Sequence, residues 1–192
     1  MMVAGAVTIV ACTKDNPINN TQNAQPIQQT SSVKSNGEIT IAELTEDGIK
    51  LLFDKQKVLT DIQREFKKTL GINCVMEDIQ VSTKKADKED VRIITITYFD
   101  FNEEQSVSMF GLVEKKPGGR LVINYGEVFG TCRSKNCGKE CTPSFTYDKY
   151  GNINGMGCVG CQITGNQYGC SFVHAHTSMS NIVCKCLEAN LK

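Results

Sequence analysis

Tryptophan is absent from the 192-residue chain and histidine occurs only twice. A surplus of charge is missing as well: Lys plus Arg and Asp plus Glu number 21 each, for a formal net charge of zero. Without a basic surplus no long-range field gathers polyanions, so nucleic acid is not an expected partner. No uninterrupted apolar run reaches the roughly 18 to 20 residues that a membrane-spanning helix needs. Nor is there a Gly-rich phosphate loop, a Ser-His-Asp arrangement, a His-Glu-x-x-His helix or a convincing carboxylate dyad, so the chain reads as a binding or structural protein more than an enzyme. What stands out is cysteine. Ten of them in a chain long enough for one domain plus an appendage point to an oxidising compartment or to a metal.

The amino-terminal segment opens with small and apolar residues from Val3 and ends in Ile9-Val10-Ala11-Cys12. The run is short enough for the apolar part of a signal peptide and too short to span a bilayer. These four residues resemble a bacterial lipobox, which implies cleavage before Cys12 and a diacylglycerol on its thiol. The step Thr13-Lys14-Asp15 is similar to the charged stretch that follows the lipid-bearing cysteine in many surface lipoproteins of the Bacteroidota. Beyond it, residues 13–37 are mostly Asn, Gln, Thr and Ser with Pro17 and Pro26, too polar to offset ordering entropy by burial. A flexible tether of this length reaches roughly 25 to 30 Å.

From residue 38 the patterns become those of a folded domain. Thr40 and Glu43 have capping-box spacing, flanked by Ile39 and Leu44 at staple positions, and predict a helix beginning near Thr40. Leu51, Leu52, Val58, Leu59, Ile62, Phe66 and Leu70 continue an apolar stripe to a stop at Gly71, and Gly48 permits a bend. Four runs rich in Val, Ile, Thr, Tyr and Phe follow, over 74–83, 91–101, 106–115 and 120–128. Their short links favour antiparallel neighbours, with Pro117-Gly118 suited to a type II turn. The alternation of Ile94, Ile96 and Tyr98 with Thr95 and Thr97 marks one buried face. The expected architecture is therefore α+β: one long helix on a four-stranded antiparallel meander. This element order resembles cystatin-type modules, a likeness of order alone that brings no inhibitory-loop residues with it.

Eight of the ten cysteines crowd the tail: Cys132, Cys137, Cys141, Cys158, Cys161, Cys170, Cys184 and Cys186. Glycines are frequent between them and large aliphatic residues few, so covalent links are expected to replace a core in a small disulfide-rich β/loop module. All eight are disulfide candidates, and the sequence does not choose the connectivity. Cys184 and Cys186 are read on one face of a strand, with separate partners. Cys74, alone in the middle of the chain, either stays a small buried hydrophobe or joins the tail. Tyr147 to Asn152 reads as a hairpin turn.

Other chemistries compete for the same sulfurs. Cys137 with Cys141, Cys158 with Cys161 and Cys184 with Cys186, near His174 and His176, resemble ligand pairs for zinc. Cys158 and Cys161 also have the spacing of a thiol-redox pair. Cys170 with a histidine would form a nucleophile and base, and Met156 and Met179 with the histidines a copper site. An exported chain meets oxidising conditions, and this favours disulfides over each of them. The division that results is a signal peptide over 1–11, a lipidated tether over 12–37, a helix-plus-sheet domain over 38–130 and a cysteine-rich module over 131–192. Its expected setting is the bacterial cell envelope, periplasmic or surface-exposed, with the membrane as partner through the lipid and no cofactor.

Overall fold

The computed structural model describes residues 25–26, 37–84, 90–124, 129–134, 141–150, 152–160 and 169–192. Cys12 and the signal segment, together with Cys137 and Cys161, lie outside the described residues. Within the expected tether, Gln25–Pro26 form β1, a two-residue strand antiparallel to Met156 and Gly155. The segment expected to be disordered throughout thus meets a sheet edge, whose unpaired amides and carbonyls are a ready partner for any extended chain.

The expected helix start at Thr40 is corrected to a hairpin. Glu38–Thr45 form β2 and Gly48–Leu51 form β3, paired antiparallel. Ile39-Thr40-Ile41 is β-branched throughout, and Ile39 and Ile41 are both buried with the partly exposed Thr40 between them, a period of two that outweighs the capping-box spacing. Gly48 sits at φ 119°, a conformation that side-chain-bearing residues avoid, so it closes the Glu46-Asp47 turn instead of bending a helix.

The helix is shorter than expected. α1 spans Lys55–Glu65, and Asp54 caps it by accepting from the Lys57 backbone N–H at 3.1 Å. A π-type turn, Phe66–Leu70, continues it to Gly71. Val58, Leu59, Ile62 and Phe66 are buried, and the Phe66 ring meets Tyr98 edge-on at 5.8 Å.

The runs after the helix are strands β4 (Cys74–Lys84), β5 (Val91–Asp100), β6 (Gln105–Lys115) and β7 (Arg120–Asn124). They pair antiparallel in sequence order. They are not a separate four-stranded sheet. β8 (Gly130–Ser134) and β11 (Cys170–His174) extend β6 in one direction and β2 and β3 extend β7, giving one eight-stranded sheet. Ser108 of β6 faces Thr97 of β5 on one side and Cys132 of β8 on the other, so β6 is the central strand. At its far end Glu114 and Lys115 leave β8 and pair with β7.

The tail is likewise not a module apart. α2 (Thr177–Ala189) buries Met179, Ile182, Val183, Cys186 and Leu187 in the same core as α1 and the helix-side residues of the sheet. Asn190 donates to Asp61 of α1 at 2.9 Å, and the Lys192 N–H donates to the Leu52 carbonyl at 2.8 Å. Residues on both sides of position 130 therefore share one sheet and one core.

Close backbone approach is required at Gly130, where a Cβ would lie 2.7 Å from both the Phe110 and Phe172 rings. Gly130→Ala is expected to destabilise the fold by about 1–3 kcal/mol through overpacking. A fall in the urea midpoint checks this, and an unchanged midpoint would contradict the packing described.

Candidate functional site

Alternate residues of β6 face opposite ways. Val107 and Met109 join the helix-side core, whereas Phe110 belongs to a second cluster with Cys132, Cys141 and Met156. This second face is covered by a hairpin of β9 (Thr142–Tyr147) and β10 (Ile153–Val159). Phe145 of β9 meets Phe110 edge-on at 5.9 Å, and Phe172 of β11 lies 6.2 Å from the same ring. The hairpin turn expected at Tyr147 to Asn152 is present in its described part: the Asp148 carboxylate accepts from the Tyr150 and Asn152 backbone N–H groups at 2.8 and 2.9 Å.

Among the described residues, two disulfides fasten this layer. Cys132 of β8 is bonded to Cys158 of β10, with Cα atoms 5.6 Å apart, and Cys141 at the entrance to β9 is bonded to Cys170 of β11, at 5.5 Å. Both run from the hairpin to the sheet, across sequence separations of 26 and 29 residues. They close loops for which the entropic contribution is about 3 kcal/mol each. The small apolar cluster beneath the hairpin is thus supplemented by covalent bonds.

The remaining candidates are dispersed. Cys184 and Cys186 are not on a strand and are not bridged; both lie on α2 as buried thiols in the helix-side core. The helical face of Met179, Ile182, Val183, Cys186 and Leu187 carries them there. Cys74 is a third buried thiol, at the start of β4. Burial, and next the Asp100 carboxylate, push Cys74 up to about 11. Burial with Asp61 and Glu65, against the opposing Arg64, does the same to Cys186.

His176 is the N-cap of α2, accepting from the Ser178 N–H at 3.3 Å, and His174 packs edge-on against Phe172 at 5.0 Å. Cys141 and Cys158 have their sulfurs in disulfides and so are not thiolate ligands. The zinc grouping is therefore not brought together among the described residues. Cys158 is bonded to Cys132 and not to Cys161, so the expected redox pair is not a disulfide unit, and Cys170 has no thiolate to offer as a nucleophile.

Beside the hairpin turn lies a cleft of about 570 Å³ between the turn residues Tyr147, Asn152 and Ile153 and the ends of β5, β6 and β7. Val91, Leu112 and Val122 line it with apolar surface and Glu114 brings charge, whereas Arg92 and Lys115, in register with Val113 and Leu121 of the helix-side core, lie on the opposite face of their strands. Glu114 is held by Lys116 at 3.0 Å, and Lys116 also reaches Glu38 at 2.6 Å. Arg92 takes part in no ion pair among the described residues, and its buried Nε has no hydrogen-bond partner there. None of these residues stood out in the sequence, where Arg92 is one polar residue at a strand start. The cleft arises from β5, β6 and β7 ending near a hairpin encoded dozens of residues further along the chain. No family model, curated protein or solved structure matches the chain.

Removing one bridge by the paired change Cys132→Ala with Cys158→Ala is expected to cost about 2–4 kcal/mol of stability, measured by urea denaturation against the parent under non-reducing conditions. The thiols give an alkaline signature. Their folded pKa of about 11 lies above the ordinary 9.0, so the folded state holds its protons longer. The stabilisation is complete below pH 9 and is lost as pH rises towards 11. Urea midpoints followed across that window should fall less steeply in a Cys74→Ala, Cys186→Ala variant than in the parent.

Proposed function

We propose that this chain is a lipid-anchored protein of the bacterial cell envelope with a binding or structural role. In this reading Cys12 carries the lipid, residues 13–37 form a tether along which Gln25–Pro26 touch the domain, and the sheet with its stapled hairpin is the working part. The observation that carries the reading is the pair of hairpin-to-sheet disulfides, Cys132 to Cys158 and Cys141 to Cys170. Such bonds persist in oxidising compartments and are rare where glutathione and thioredoxin keep thiols reduced. The lipobox-like Ile9 to Cys12 adds the anchor. Apart from the buried thiols, the described cysteines serve as links between layers, which supports scaffolding over sulfur chemistry.

Protein from its native host, denatured without reductant and alkylated, is expected to leave Cys132, Cys141, Cys158 and Cys170 unmodified. Growth with a fatty-acid analogue should label the parent and not a Cys12→Ala variant, which should also leave the membrane fraction. Alkylation of all four bridge cysteines, or an unacylated native product that retains Met1, would overturn the reading.

A further inference from the structure

We propose that Gln25–Pro26 is a strap that fastens the tether to the edge of the hairpin, so that the lipid-bearing end of the chain leaves the domain beside Val159. The inference rests on the envelope reading above for the lipid and deepens it by assigning the place of attachment. β10 lies between β9 and β1, and β1 opposes it antiparallel, Gln25 to Met156 and Pro26 to Gly155. Opposed pairs along an antiparallel ladder alternate between exchanging two backbone hydrogen bonds and exchanging none.

Two prolines fix which pairs bond. Pro143 of β9 stands opposite Cys158 and has no N–H, so β9 bonds β10 through the pairs of Gly157 with Ser144 and Val159 with Thr142. Cys158 and Met156 therefore turn their backbone N–H and C=O groups to the other edge. Pro26 likewise has no N–H to give, so the bonded pair of β1 is Gln25 with Met156, and the Pro26 nitrogen faces away from β10, the position in which an edge strand tolerates proline. The two arrangements agree: the β10 residue that β9 leaves unbonded is the one that Gln25 meets.

That edge is a firm place to fasten. Two residues beyond Met156, Cys158 is bonded to Cys132 of β8, so load on the strap passes into the eight-stranded sheet through a covalent link. Pairing of two residues is weak on its own, and attachment in cis makes it sufficient: residues 27–36 alone separate Pro26 from Gly37, which keeps the effective concentration of the strap at the edge high. Fastening shortens the leash. Counted from Cys12, the free span falls from residues 13–37 to residues 13–24, a reach of roughly 17 to 21 Å for a flexible coil. Because β1 runs antiparallel to β10, the chain towards Cys12 departs at the Val159 end of the hairpin and not at the turn.

Hydrogen exchange on the full chain tests the strap at one amide. Gln25→Pro removes the donor of β1 and should speed exchange at Met156 at least about fivefold, whereas Gln25→Ala keeps the backbone N–H and should exchange as the parent does. Gly157, bonded to β9, should keep its rate in both. For the point of departure, acylated protein is placed on phosphatidylcholine vesicles that carry a dansyl headgroup. The parent has no tryptophan, so Val159→Trp or Tyr150→Trp supplies the sole energy donor, each at an exposed position. Transfer should be stronger from position 159 than from position 150, and the difference should be lost with Gln25→Pro. An unchanged Met156 rate in Gln25→Pro, opening by Gln25→Ala to the same extent, acceleration shared by Gly157, or equal transfer from the two positions would each overturn the strap. Protein without an acyl group on Cys12 would overturn the envelope reading instead, and exchange at Met156, which needs no lipid, would still decide the strap.

Discussion

The sulfur bonds from Cys132 to Cys158 and from Cys141 to Cys170 hold a layer that its own apolar contacts would hold weakly. On the helix side of the sheet, two amphipathic helices bury a broad set of aliphatic and aromatic residues, and the hydrophobic effect suffices there. On the opposite side the buried cluster is small, centred on Phe110 and Met156 with two of the bridge cysteines. A two-stranded hairpin on such a base is marginal in water. The covalent bonds change this by restricting how far the hairpin strays in the unfolded ensemble. The position of the turn, and with it one wall of the cleft, follows from those bonds.

The two faces of the sheet consequently differ in what they can support. The helix side is closed by close packing and by the return of the chain end, with Asn190 bonded to Asp61 and Lys192 to Leu52. Its thiols at Cys74, Cys184 and Cys186 are buried in that packing, and the raised pKa of Cys74 and Cys186 keeps those two protonated and poorly nucleophilic at neutral pH. The hairpin side carries polar turn residues and charged strand ends around a concavity.

The strands are the most legible part of the fold, since the runs of β-branched and aromatic residues correspond to β4, β5 and β6 and, up to Asn124, to β7, residues 125–128 of the last run lying outside the described residues. The apolar stripe of α1 and its stop at Gly71 were legible for the same reason, a period in the sequence that a solvent-facing element must show. The segment after Glu38 misled because a capping-box spacing and β-branched alternation coexist in it. Pairing of β2 with both β3 and β7 decides between them, and that pairing is long-range. In α2, the spacing of Met179, Ile182, Val183, Cys186 and Leu187 is helical in plain view. The density of cysteines around it competes with that period, because Cys184 and Cys186 also fit a disulfide scaffold.

By itself the sequence determined the local periods, the cysteine-rich character of the tail, the neutral charge and the turn at Pro117 and Gly118, which the structure bears out with Gly118 at φ 77°. Each depends on residues within a few positions of one another. Tertiary structure alone decided which sulfurs meet, which cysteines stay thiols, how eight strands order in one sheet and that a cleft lies between the hairpin turn and the ends of β5, β6 and β7. Those outcomes join residues dozens of positions apart. They are settled by the competition of whole faces for burial, which no local pattern records.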